Sequence, residues 1–248
     1  MISEERELTG TEERRPALTG EELIQELEEI RHRILGEHLV NGGAARAHTI
    51  EDIAKRLRQR RGGSNVVKRN AERYLNCTEK EVRRFQLRKL VDEAGEDTFG
   101  GKWPAHATLD RWEALEFGLT DEEMDQLARE DKSPEQLITG GWWMDVHRSA
   151  PWPIPIGTAL VGEGEKRNPR VREVLIKDLE QARVDYRAMG VADVERALIS
   201  KTLHSGVDVE HADFDAAVIS EFVDTPELQE EMRKAFILRI QMGQRGEW

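Results

Sequence analysis

A single cysteine, Cys77, is present in 248 residues. An intrachain disulfide framework is therefore excluded, as is a thiolate-rich zinc or iron–sulfur cage, because each needs several sulfurs. Any metal would have to be held by histidines and carboxylates. No apolar run is long enough for a bilayer crossing, so a transmembrane helix is not expected. The opening residues, MISEERELTGTEERRP, lack the basic segment and apolar stretch of a secretory signal, and a cytoplasmic location is expected. Positive charge is also in deficit: 37 Lys and Arg stand against 49 Asp and Glu, a formal net charge of −12. Sequence-independent affinity for phosphates needs concentrated Lys and Arg, so neither nucleic acid nor membrane is an expected partner. The one basic stretch, from Lys55 to Arg61, reads as a solvated helix face.

Strand signals are missing too. No segment alternates apolar and polar residues, whereas Val82, Phe85, Leu87, Leu90 and Val91 follow helical spacing. Helix starts recur as Thr-x-x-Asp/Glu, in which a hydroxyl and a carboxylate satisfy the free amide protons of the first turn. The clearest are Thr19/Glu22, Thr49/Asp52, Thr78/Glu81 and Thr120/Glu123. They predict helices near 19–36, 49–61, 64–76, 78–94, 104–118 and 120–130, then an irregular stretch to about 153, then helices near 155–165, 169–189, 191–222 and 225–244. Residues 1–18 read as a mobile leader and 19–248 as one all-α domain.

Two segments break the helical pattern, GEDTFGGKWP (95–104) and GGWWMDVHRSAPWPIP (140–155). The second places Trp142, Trp143 and Trp152 with three prolines in sixteen residues. A rigid loop capping the bundle and a wall facing a substrate both fit that composition.

The most informative line is KTLHSGVDVEH, residues 201–211. At roughly 100° per residue, His204, Asp208 and His211 fall within about 60° of one another on one helix face. Two imidazoles and a carboxylate in that arrangement suit a first-row transition metal, and helical bundles build dimetal sites from such spacings. Two hydrogen-bonded core histidines on an ordinary helix would give the same pattern.

From about Val66 to Gln244 the chain resembles the haem-oxygenase-like diiron oxidases and oxygenases, relatives of the thiaminase II and pyrroloquinoline-quinone synthase proteins. Three blocks carry the resemblance. RRFQLRKLVDEAGE (83–96), followed by the helix opening at His106, looks like the family's Asp/Glu-Glu-x-Gly segment and next-helix histidine. GEGEKRNP (162–169) looks like the family's helix ending in a Glu four residues before a Pro, and His204/Asp208/His211 agrees with the family's His-x-x-x-Asp-x-x-His in residue type and spacing. The resemblance implies a bundle of about seven core helices around a metal site, with ligands Glu93, His106, Glu165, His204, Asp208 and His211. Glu96 competes with Glu93, because thirteen residues separate Glu93 from His106, and Glu163 is the fallback for Glu165.

It also implies two Fe(II) per chain, dioxygen as co-substrate, a homodimer, and oxidation of a small organic molecule, amino-acid-derived or a fatty acid, in a biosynthetic pathway. Three carboxylates would offset much of the charge of two ferrous ions. The alternatives are a cofactorless oxidase or thiaminase-like hydrolase on the same fold, and a non-catalytic helical binding protein. Cys77 reads as a buried structural thiol, since no neighbouring base is matched to it. His32, His38, His48 and His147 read as surface or loop residues, with His147 a candidate substrate contact. Lys55, Arg58 and Arg61 are candidates for holding a substrate carboxylate.

Overall fold

The computed structural model describes residues 16–35, 49–59, 66–95, 104–129 and 134–244. Among these residues every regular element is a helix. In order they are α1 (Gly20–Leu35), α2 (Ile50–Gln59), α3 (Val66–Asn76), α4 (Lys80–Ala94), α5 (His106–Glu116) and α6 (Asp121–Arg129), then α7 (Pro134–Ser149), α8 (Pro153–Gly157), α9 (Leu160–Glu163), a 3-10 turn (Gly164–Arg167), α10 (Pro169–Ala188), α11 (Val194–Phe222) and α12 (Pro226–Gln244).

Three of the expected capping boxes form. Glu22 Oε2 accepts from the Thr19 amide at 2.8 Å, Asp52 donates its amide to Thr49 Oγ1 at 3.1 Å, and Glu123 Oε2 accepts from the Thr120 amide at 2.8 Å. Thr78/Glu81 does not form: α4 begins one residue later than that box requires, behind Glu79, and Glu81 pairs with Arg84 instead. Asn168 and Asp193 cap α10 and α11, each accepting a first-turn amide at 3.0 Å. Leu18 exchanges two hydrogen bonds with Gln229, so the chain is tied to α12 from just before α1.

One expected loop is a helix. Gly140 to Ser149 lies inside α7, so Trp142 and Trp143 project from a helix. Two adjacent glycines cost helix stability, by about 1 kcal/mol each, which is why the segment looks irregular in sequence. Packing compensates: buried His147 accepts from Arg73 of α3, and buried Trp143 lies under Arg239 of α12. The stretch expected as one helix near 155–165 is instead α8, α9 and the 3-10 turn, a broken segment that wraps along α11.

Helix α11 is the axis. Its 29 residues span about 43 Å and pack against α1, α5, α8, α9, the 3-10 turn and α10. Apolar packing concentrates at its ends. Val194, Ala197 and Leu198 join Ile53, Ala114, Phe117 and Tyr186, while Ala212, Ala216, Ile219 and Val223 join Leu23, Leu27, Met232 and Phe236. Each fully buried Leu, Ile or Phe contributes roughly 1.5–3 kcal/mol. The middle of α11 carries polar side chains inward instead, and α4 faces it there. Phe85 of α4 stacks on Phe214 with centroids 3.6 Å apart. No described helix is long and apolar enough to cross a membrane.

Candidate functional site

The stripe expected from spacing is present on α11. Asp208 and His211 are buried, His204 is half-buried, and Asp215, one turn further on, extends the stripe and is wholly buried. His204 Nδ1 donates to the Ser200 carbonyl at 2.6 Å, which leaves the ring lone pair on Nε2. The His211 ring meets the edge of Phe85. Burial, then the Lys89 charge, then those of His204, Arg88 and Arg73 push its pKa down to about 3. The ring is therefore neutral at ordinary pH, the form that ligates a metal.

Opposite lies one face of α4 bearing Gln86, Lys89 and Glu93. Lys89 Nζ sits 3.0 Å from both carboxylate oxygens of Asp215. Gln86 is fully buried with neither end of its carboxamide hydrogen-bonded. From the end of α9, Glu163 enters the same region with a buried Oε2 that has no hydrogen-bond partner. Burial raises its pKa to about 7. Lys89 opposes the rise, Asp215 and Asp208 reinforce it, and Arg73 opposes it more weakly. The Lys166 ammonium, from the 3-10 turn, contacts Asp208 Oδ2.

The six expected ligands distribute as follows. Glu93, His204, Asp208 and His211 belong to the facing stripes of α4 and α11. Glu165 points elsewhere: its carboxylate pairs with buried Arg31 at 2.7 Å, and Arg31 also donates to the Val161 carbonyl at 2.9 Å. Glu165 lines an outer groove of about 570 Å³ between α1 and the 3-10 turn, with Glu28, His32 and Arg167. Of the two glutamates, Glu163 is the one beside Asp208 and Asp215. His106 opens α5, but its side chain lies outside the described residues, as does Glu96. Arg61, His38 and His48 lie outside them too.

His147 corrects the expectation of a surface or loop histidine. It is fully buried, its Nδ1 donates to the Trp143 carbonyl at 2.7 Å and its Nε2 accepts from Arg73 Nε at 3.2 Å. Burial and the neighbouring Arg73 charge push its pKa down to about 2. Lys55 and Arg58 are on an exposed face of α2, where Arg58 pairs with Glu123 at 3.2 Å. Lys89, Asp215 and Gln86 were not singled out by the sequence. Only Asp215 left a signal there, as the next member of the 204/208/211 series.

Among the described residues, no three His, Cys, Asp or Glu side chains stand together as a ready-made metal cage. Separate donors of the kinds a divalent cation takes are nonetheless present. A buried carboxylate oxygen at Glu163 lacks a partner, His211 is a buried neutral imidazole, and Asp208 already holds a cation in the form of Lys166. An ionised carboxylate without a partner is costly in such surroundings, and a metal relieves that cost. Lys166 is one-fifth exposed and lies on the short 3-10 turn. Comparison with known families and with curated proteins finds no match for this chain.

Proposed function

We propose that the chain is a non-haem, dioxygen-dependent oxidase or oxygenase that holds two Fe(II) in the polar centre between α4, α9 and α11 and acts on a small organic substrate. The observation that carries this reading is the buried Glu163 oxygen without a hydrogen-bond partner beside the Asp208 and His211 face of α11. The ligands would be Glu93, Glu163, His204, Asp208 and His211, with His106 from the start of α5. Glu163 replaces Glu165 in this set because Glu165 is committed to Arg31. The haem-oxygenase-like form of the bundle and the homodimer belong to the same proposal.

Ferrous ions, when bound, supply the electrons and open coordination positions for dioxygen chemistry. The protein's own contribution follows from the packing. Phe85 and Phe214, stacked on each other and both half-buried, flank the His211 side of the centre. The Ser200 carbonyl holds the tautomer of His204, as a hydrogen-bond partner does for a metal-ligating imidazole. Without metal, burial raises the Glu163 carboxyl to about 7, so Fe(II) binding there would release its proton near neutral pH.

A second reading is favoured by the two lysines. Lys89 on Asp215 and Lys166 on Asp208 already neutralise two of the buried carboxylates, as they would in a helical binding protein whose polar centre is structural. An anaerobic Fe(II) titration of the chelator-treated chain separates the two, followed by mixing with oxygenated buffer. Two irons per chain, lost in Glu163→Gln and His204→Ala but kept in Glu165→Gln, with oxygen consumed on mixing, is the expected result. Absence of stoichiometric binding would overturn the oxygenase reading.

A further inference from the structure

Beside the centre lies a group of cations, Arg73 buried and Arg69 and Arg239 half-buried. Arg69 and Arg73 are one turn apart on α3 and so share a face. Arg73 is 8% exposed, and its hydrogen bonds go to neutral groups, Nε to His147 Nε2 and Nη1 to Asn70 Oδ1, both at 3.2 Å. From α12, the Arg239 guanidinium lies 4.1 Å over the Trp143 ring, which meets His147 edge-on with centroids 4.6 Å apart. Trp143 is 5% exposed, yet its indole N–H has no acceptor.

We propose that Arg69, Arg73 and Arg239, with the Trp143 N–H, form a binding site for the carboxylate of an organic acid that carries an apolar or aromatic part. The inference rests on the oxygenase reading only in making that acid the substrate. Guanidiniums packed together repel one another. Burial first, then the mutual repulsion, lowers the pKa of Arg239 to about 8 and that of Arg69 to about 10. An anion between them removes that repulsion, and the planar guanidinium fork suits a carboxylate. A monoanionic carboxylate costs less to dehydrate than a phosphate dianion, which favours an acid over a phosphate ester in so dry a place. Trp142 stacks on Trp143 at 5.6 Å and provides a flat apolar wall for the remainder of the ligand.

Position and access agree with this role. Glu93 and Glu163 lie within electrostatic reach of Arg69 and Arg73, so an acid docked here is held next to the proposed metal ligands. Arg69 is only half-buried and gives the outer end of the site an opening, while Arg73 forms its floor.

The test is calorimetric titration of the full chain, kept metal-free with chelator, using phenylacetate and octanoate as probes, with phenylacetamide and inorganic phosphate as comparison arms. At least one acid should bind, with phenylacetamide and phosphate weaker by about tenfold or more, and Arg69→Gln should cost about tenfold as well, since removing one partner of a buried charged contact is expensive. Arg73→Met should cost more, and Arg69→Gln, at a half-exposed position, keeps the test valid where Arg73→Met fails to fold. Thr120→Ala, which removes a cap on α6, should leave acid binding unchanged. The inference is overturned by binding of neither acid, by equal affinity in Arg69→Gln, by equal affinity for the amide, or by tighter binding of phosphate. Because no metal is present, failure of the iron titration leaves this result standing, and the reverse also holds.

Discussion

Lys89 places its ammonium 3.0 Å from each oxygen of Asp215, and both side chains are almost wholly out of contact with water. Such a pair is weak evidence of net stabilisation, because two charges lost their hydration to form it. Breaking it is another matter. Lys89→Met leaves a buried carboxylate without its cation and should cost about 3–5 kcal/mol, whereas Lys89→Met with Asp215→Leu should recover most of that. Urea unfolding of the two variants checks this. A single variant as stable as the parent would show that water reaches Asp215.

Protonation of the buried histidines sets an acid limit. Unfolded, His147 and His211 titrate near their ordinary value of 6.5; folded, they resist protonation to about 2 and about 3. Over that window the unfolded chain binds more protons, so stability falls as pH drops, by about 1.4 kcal/mol per pH unit for each histidine. Glu163 acts in the opposite sense. Its folded value of about 7 lies above its ordinary 4.5, so its contribution is fully present below 4.5 and is lost as pH rises through 7. Between 6.5 and 4.5 two histidines oppose one carboxyl, and the net loss is about 1.4 kcal/mol per unit. Denaturation midpoints across that range should fall accordingly. Glu163→Gln should steepen the slope and His147→Gln should flatten it.

Most of the helices were legible from periodicity and capping, and the His204/Asp208/His211 face followed from spacing alone. What sequence reading missed was burial of charge. Lys89 and Arg73 sit among other charged residues in helices that look amphipathic, and nothing local distinguishes an ammonium aimed at Asp215 from one in water. The choice between Glu163 and Glu165 was open for a similar reason. Two residues apart on a helix they would face different ways, but which one turns inward depends on Arg31, far away on α1. Helix α7 was hidden by Gly140 and Gly141, whose local cost is met by packing of Trp143 and His147 that no short window contains.

Cys77 tests the metal-free alternatives. It is buried, and burial pushes its thiol pKa up by more than the backbone contact to Glu79 lowers it, which disfavours the reactive thiolate. Its reaction with a chromogenic disulfide at neutral pH should be about a hundredfold slower in the folded chain than in urea. Cys77→Ala should lose about 1–2 kcal/mol of stability from a small cavity and keep iron binding and oxygen consumption. A folded Cys77→Ala chain without activity would move the chemistry to the thiol.

Helix α1 meets α11 at a close approach of their backbones. Gly20 opens α1 against Ser220, and a Cβ there would lie 2.3 Å from the Ser220 Cα and 2.5 Å from its carbonyl oxygen. Backbone atoms cannot rotate away, so Gly20→Ala must push the two helices apart. Alanine favours a helix over glycine by about 1 kcal/mol, which would make the substitution stabilising in isolation. Here the clash should win, with a net loss of about 1–3 kcal/mol. Ser220→Ala removes only the hydroxyl and should not rescue it. The effect should also reach the centre, because α1 carries Arg31, which holds Glu165 and the Val161 carbonyl on the strand of chain that delivers Glu163. Gly20→Ala should therefore weaken Fe(II) binding as well as lower the urea midpoint, while Thr120→Ala, which removes a cap on α6, should lower stability by about 1 kcal/mol and leave the titration unchanged. Equal effects of the two on iron would show that metal affinity follows global stability rather than the seating of α1.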